Sequence, residues 1–348
     1  MPRRYRRIGT DIEQTIFDRI VEQALGHGLI GGKVLYTDST HIKANANKGK
    51  FEVHQVEQRP QQYLAELNAA INEDRAAQGK APLKERDESA PLKEIKVSKT
   101  DPESGYMTRE GKPQGFFYLD HRTVDGKHAF IVDTSVTPAS MHDSVPYLDR
   151  LARTEQRFGL SEEVVGLDAG YYSAICESLV EQDIYGVIGY RRPNHREGYF
   201  YKREFIYNAE NDTYRCPQGQ VIEYRRTSRV GYREYHLDAL QCAQFPMRSQ
   251  CTQSANKVKV VTRHVWQGFK EQINAHRLED KGKKIYARRK ETVERSFADA
   301  KQLHGYRYAK YRGLARVNAQ ALLTAACQKM KKMARLLMQA LLRLNDRP

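Results

Sequence analysis

Residues 290–301 read Lys290-Glu-Thr-Val-Glu-Arg-Ser-Phe-Ala-Asp-Ala-Lys301. Val293, Phe297, Ala300 and His304 recur at helical spacing, so a helix can seat that stripe on a core. Glu294 lies beside the stripe, and Lys301 follows seven residues later, nearly two turns along the same side. A carboxylate and a cation thus leave one helix in parallel at the border of the packed core. Metal-dependent phosphoryl transfer could use that pair, the carboxylate binding an ion and the lysine meeting a phosphate. Taken alone, the segment reads more readily as an ordinary amphipathic helix with a surface Glu and Lys. The residues upstream separate the two readings.

Lys33-Val-Leu-Tyr-Thr-Asp38 is a short β-prone run ending in an acid, and Glu163-Val-Val-Gly-Leu-Asp168 repeats the pattern. A strand that delivers a carboxylate at its C-terminal end stands where α/β proteins place ligands; singly, Asp38 also reads as a turn cap. Asp38, Asp168 and Glu294 lie 130 and 126 residues apart, on two strand ends and one helix. Three acids at such matched positions can converge where a sheet opens.

Between them, Asp125-Gly126 marks a hairpin joining Phe116–Leu119 to His128–Val132, a strand that Val136-Thr-Pro138 ends. Asp143-Ser144 is placed to cap a helix through Phe158, Ser173–Gln182 reads as a helix, and Tyr185–Tyr190 as a buried strand. The expected layout is α/β. An N-terminal helical segment spans 1–32. The first part of the core spans 33–190, with a polar, helical insertion at about 50–100 ending in a mobile charged tail. A β-rich insertion spans 191–284, and 285–348 holds the Glu294 helix and basic C-terminal helices.

The formal net charge is +15, and from Lys281 to Pro348 there are 18 Lys/Arg against 4 Asp/Glu. A smaller basic cluster sits at Arg3, Arg4, Arg6 and Arg7. Tyr286, Tyr306, Tyr308 and Tyr311 interleave the C-terminal cations, a composition suited to nucleic acid more than to an anionic membrane surface. Lys290, Lys301 and Arg312 are the expected phosphate contacts in this strip. No apolar run reaches bilayer-spanning length and the N-terminus lacks a signal-peptide core, so a cytoplasmic protein is expected. Cys176, Cys216, Cys242, Cys251 and Cys327 form no even framework, and disulfides are not expected. His41, His121 and His142 are scattered singly and are expected to be core or surface residues.

Together, Asp38-Ser-Thr-His-Ile-Lys-Ala-Asn45, Val136-Thr-Pro-Ala-Ser-Met-His-Asp143, Leu167-Asp-Ala-Gly-Tyr-Tyr172, Arg289–Lys301 and Arg312-Gly-Leu-Ala-Arg-Val317 resemble a bacterial insertion-sequence transposase of the DDE type. The resemblance spans about Ile12 to Leu337. It implies an RNase H-like mixed sheet flanked by helices, with a β-rich insertion before the last catalytic helix. It implies Asp38, Asp168 and Glu294 as catalytic acids and metal ligands, with Lys301 as the family's basic residue seven positions after the glutamate. Two divalent ions, Mg²⁺ or Mn²⁺, are implied as cofactors. Double-stranded DNA, as terminal repeats and target, is the implied partner, with a homodimer in the DNA complex and a nucleoid-associated location. The activity implied is strand cleavage at element ends and transfer of the released 3′-hydroxyl to target DNA.

Three features depart from the family pattern. Its arginine four residues before the glutamate is Lys290 here, with Tyr286 and Arg289 one residue out of register. Relatives carry four cysteines in the insertion, whereas this chain has Cys216, Cys242 and Cys251 with Phe245 in the fourth place, so zinc is not expected. The helical domain that precedes Ile12 in relatives is almost missing, which implies a truncated N-terminus. Two other readings stay open: an RNase H-like nuclease without strand transfer, and a non-catalytic DNA-binding regulator or decayed product.

Overall fold

A computed structural model of the chain describes residues 12–57, 61–84, 92–108, 114–171, 174–190, 196–237, 239–256 and 258–345. The basic N-terminal cluster at Arg3–Arg7 and the expected charged tail around 85–91 lie outside the described residues. In chain order, α1 (Ile12–Gly26) leads to β1 (Val34–Lys43), β2 (Phe51–Glu57), α2 (Gln61–Ala77) and β3 (Leu92–Ser98). Next come β4 (Gly105–Met107), β5 (Gly115–Asp125), β6 (Ile131–Pro138), α3 (Tyr147–Phe158), β7 (Val164–Leu167), α4 (Ala174–Glu181) and β8 (Tyr185–Ile188). A polar stretch carries β9 (Ile206–Asn208), β10 (Thr213–Arg215), β11 (Val221–Thr227), β12 (Tyr232–His236), α5 (Ala239–Ala243), α6 (Arg248–Cys251) and β13 (Val260–His264). Helices α7 (Gln267–Leu278), α8 (Asp280–Arg288), α9 (Val293–Leu303) and α10 (Leu314–Asn345) follow.

The chain forms two compact units, one of residues 1–56, 94–190 and 269–348, the other of 57–93 and 191–268. The first is a mixed α/β body around a six-stranded sheet of order β4-β5-β1-β7-β8, with β6 paired to β5. Pairing is antiparallel among β1, β5 and β6, and parallel among β1, β7 and β8. The parallel strands are short apolar runs because both of their faces are covered; Val164–Leu167 is buried throughout. Helices α9 and α10 lie along the sheet, and α1 packs on α10. Phe17 and Val21 of α1 join Leu35, Val165, Leu167, Val293 and Phe297 in one core. A second cluster seats Ala300, Val317 and Ala321 against Ile42, Phe116 and Tyr118.

In the second unit, β9 to β13 form a five-stranded antiparallel sheet in the order β13-β12-β11-β10-β9. Helix α2 belongs to this unit. Its buried Asp74 accepts hydrogen bonds from Thr227 and Arg233, and Gln78 Nε2 donates to Asp212 at 2.7 Å. Tyr207, Tyr214, Tyr224 and Tyr235 pack edge-on and tilted in its centre. Cys216 and Cys242 are buried in that aromatic core, with Cys251 and Phe245 against it, and burial pushes the Cys251 thiol up.

Several expectations are corrected. Asp38 does not end its strand: β1 continues to Lys43 because β5 pairs with it over its whole length, Asp38 standing opposite Arg122. Helix α3 starts at Tyr147, not at an Asp143 or Ser144 cap; Pro146 disfavours helical backbone at Val145, and Ser144 is hydrogen-bonded to His142. From 267 to 284 the expected β-like stretch is instead taken up by α7 and the start of α8, and Ile273 of α7 closes with Leu179 over Gly186, where a Cβ would stand within 3.0 Å of both. The polar insertion holds strands as well as its helix, β2 and β3 forming a two-stranded ribbon. After Gly313 the chain is one 32-residue helix, α10. Among the described residues no helix is long and apolar enough to cross a membrane.

Candidate active site

The parallel ladder between β1 and β7 ends at Thr37 opposite Leu167, so Asp38 and Asp168 are the next residues on adjacent strands. Strand spacing of about 4.8 Å sets the two residues side by side. The third acid arrives from α9, which packs on β1 and begins at Val293, placing Glu294 in its first turn. Sequence separation is large, yet ladder register and helix packing gather all three.

The group that meets them is Arg289. Its Nη2 donates to Asp38 Oδ2 at 2.7 Å, and its Nη1 lies 3.9 Å from Asp168 Oδ1 and 4.0 Å from Glu294 Oε1. The arginine side chain is only 4% exposed, Asp38 is 19%, and Asp168 and Glu294 are about half exposed at 51% and 46%. Tyr286 backs the guanidinium, with its ring centroid 5.3 Å away and its hydroxyl accepting from Nη1 at 3.4 Å. Room for Tyr286 comes from Gly189: a Cβ there would stand 2.6 Å from the Tyr286 hydroxyl.

Burial pushes the Asp38 carboxyl up to about 6, against the opposing pull of Arg289 and of the Ser39 amide, which donates to it at 2.8 Å. The neighbouring Asp168 and Glu294 charges push it further in the same direction. Three carboxylates share one guanidinium, so negative charge is in excess. All-oxygen donors with unbalanced charge fit a hard divalent cation such as Mg²⁺ or Mn²⁺. As placed, no three His, Cys, Asp or Glu side chains among the described residues are grouped to hold an ion, and the cation among these acids is Arg289.

Lys301 extends the site along α9. Its ammonium donates to the Thr40 hydroxyl, two residues beyond Asp38 on the same strand face. It also lines a groove of about 710 Å³ with Lys43, Lys48, Arg307, Phe117 and Tyr308; no carboxylate lines that groove among the described residues. Lys290 is exposed in the turn before α9, away from the helical register that 290–301 suggests. The backbone there turns through Arg288–Thr292, with the Thr292 amide bonding back to the Arg288 and Arg289 carbonyls, and this aims Arg289 at the acids. Arg312 is exposed and donates to the Asn45 carbonyl at 2.8 Å. His121 is buried and held near pH 3 by desolvation, with its Nε2 2.7 Å from the Thr137 hydroxyl, and His142 bonds Ser144.

Residues 215–334 match the family model of a transposase DDE domain. The match supports a DDE-type transposase and a transposase-like function. It contains Glu294, Arg289 and Lys301, whereas Asp38 and Asp168 precede it and join the site through the sheet. No curated protein and no solved structure matches the chain. Sequence reasoning set Arg289 and Tyr286 aside as out of register. Their three-residue spacing, one helical turn, is the signal that pairs them.

Proposed function

We propose that the chain is a DDE transposase with an RNase H-like core, cutting double-stranded DNA at insertion-sequence ends and joining it to target DNA. The observation that carries this reading is the gathering of Asp38, Asp168 and Glu294 around one guanidinium at the end of the β1–β7 parallel ladder. An antiparallel β6-β5-β1 block continued by parallel β7 and β8 supports the RNase H-like assignment. The match over 215–334 supports the family.

In this reading Asp38, Asp168 and Glu294 hold divalent metal, Mg²⁺ or Mn²⁺ and two ions by the family pattern. When bound, the metal supplies charge neutralisation at the scissile phosphate and activation of the attacking oxygen. Asp38, the most buried of the acids, fixes the position of the set through the sheet. Arg289 balances part of the acidic charge and orients the Asp38 carboxylate through its 2.7 Å bond. Lys301, anchored on Thr40, places a cation where the groove meets the acids, and Lys43, Lys48 and Arg307 continue the contact with phosphates. Such contacts position DNA without reading its sequence. A homodimer in the DNA complex completes the proposal.

The test uses a DNA duplex bearing the element's end, with and without Mg²⁺. Nicked and joined products are expected from the wild type. Lys290→Gln, Lys301→Gln and Arg312→Gln together should weaken DNA binding and flatten its salt dependence. Nicks without joined products would instead identify a nuclease, and binding without nicks would identify a non-catalytic regulator.

A further inference from the structure

Helix α9 has a second working side. At 100° per residue, Arg295, Asp299 and Leu303 point away from Glu294 and Lys301. They line a pocket of about 740 Å³ between α9, α10 and the β5–β6 hairpin tip. From α10 come Lys331, Lys332 and Arg335, and from the hairpin tip His128. Two acids, Glu291 and Asp299, also line it; Arg295 engages Asp299 at 3.4 Å, and Asp299 attracts Lys332 and His304 as well. Lys331 and Arg335 are one helical turn apart and exposed. Lys332 is tethered, its Nζ donating to the Ala129 carbonyl at 2.5 Å.

The crowding has a visible electrostatic cost. Burial first, and Arg335 next, push the Lys332 ammonium down to about 8. Lys331 helps hold the His304 imidazole below its ordinary value, after burial. A folded chain that gathers cations around an open concavity has made a place for an anion.

We propose that this pocket binds a phosphate of the DNA backbone, along the side of α9 that faces away from the acids. DNA is named as the polymer on the strength of the transposase reading; the anion itself follows from the pocket. One helix would then be gripped on both sides, catalytic acid and Lys301 on one, Lys331 and Arg335 on the other. The protein would hold DNA beyond the strand being cut.

The test compares the full chain with the Lys331→Gln/Arg335→Gln double variant. Both side chains are exposed, so thermal unfolding should match the wild type. Duplex affinity is measured at salt concentrations spanning a fourfold range. Loss of two phosphate contacts should lower the salt slope by about 2, so the wild type should lose roughly 10-fold more affinity than the variant over that range. An unchanged slope in the folded variant overturns the proposal. A second arm adds inorganic phosphate against chloride at equal ionic strength. Phosphate should raise the wild-type melting temperature and leave the variant's unmoved. A phosphate effect that disappears in the variant while the DNA slope stays the same means a site for free anions only, and also overturns it. The expected slope difference between wild type and variant, with a wild type that never nicks DNA, sinks the transposase reading and leaves this pocket standing.

Discussion

Two acid–arginine clusters share one face of the central sheet, and they are built on opposite principles. Asp120 and Arg122 on β5 pair at 2.8 Å with both side chains 0% exposed. Thr134 donates to Asp120 at 2.6 Å, and Arg122 Nη1 donates to the Ser296 carbonyl and to Gln328 while its plane lies over Phe297 and Tyr306. Charge is balanced one to one and solvent is excluded. Opposite Arg122 in the ladder stands Asp38, whose cluster has three carboxylates for one arginine and two of them half exposed. The difference teaches how to tell scaffold from site within one sheet. Balanced, buried charge holds elements together, whereas unbalanced charge open to solvent awaits a partner.

The largest effect should come from breaking the balanced cluster. Asp120→Ala strands Arg122 in the core and should cost about 3–5 kcal/mol in chemical denaturation. A loss below 1 kcal/mol would erase the distinction. The unbalanced cluster should respond to pH instead. Because the folded Asp38 carboxyl sits near 6, above its ordinary 3.8, the folded state binds the extra proton, so stability falls as pH rises from about 4 to about 6. Measured in EDTA, wild type should lose at most about 3 kcal/mol over that window, and Asp38→Asn should flatten the profile. An unaltered profile in the variant would move the titration elsewhere. Gly189→Ala should cost about 1–3 kcal/mol by pushing on Tyr286, and it should loosen the Arg289 seat without touching an acid. Smallest of all should be Asp168→Ala and Glu294→Ala. Each removes a half-exposed, surplus charge, and stability should stay within about 0.5 kcal/mol of wild type.

Much of the fold was legible because the relevant signals are local. The Asp125-Gly126 hairpin, the helix within the polar insertion and the two apolar runs before Asp38 and Asp168 need only short windows of sequence. The parallel ladder then sets Asp38 and Asp168 side by side. Less local facts were hidden. That α2 belongs with the β-rich stretch depends on Asp74 meeting Arg233, 159 residues on. The choice of Arg289 over Lys290 depends on a turn at Arg288–Thr292, so counting four residues back from Glu294, as the family pattern does, lands one residue too late. Asp38 lies inside a strand rather than at its end because β5 continues to pair where β7 stops, and a neighbour's length cannot be read from β1 itself.

The measurement that bears most directly on the site is a nicking assay of Asp168→Ala run beside a gel-shift titration of the same protein. Loss of metal-assisted chemistry worth several kcal/mol should slow Mg²⁺-dependent strand cutting about 10³-fold or more. DNA affinity should stay equal or tighten, since removing a carboxylate removes repulsion of the phosphates. Cutting that persists in the variant, or affinity that falls in step with cutting, would contradict the assignment of these acids as the catalytic centre.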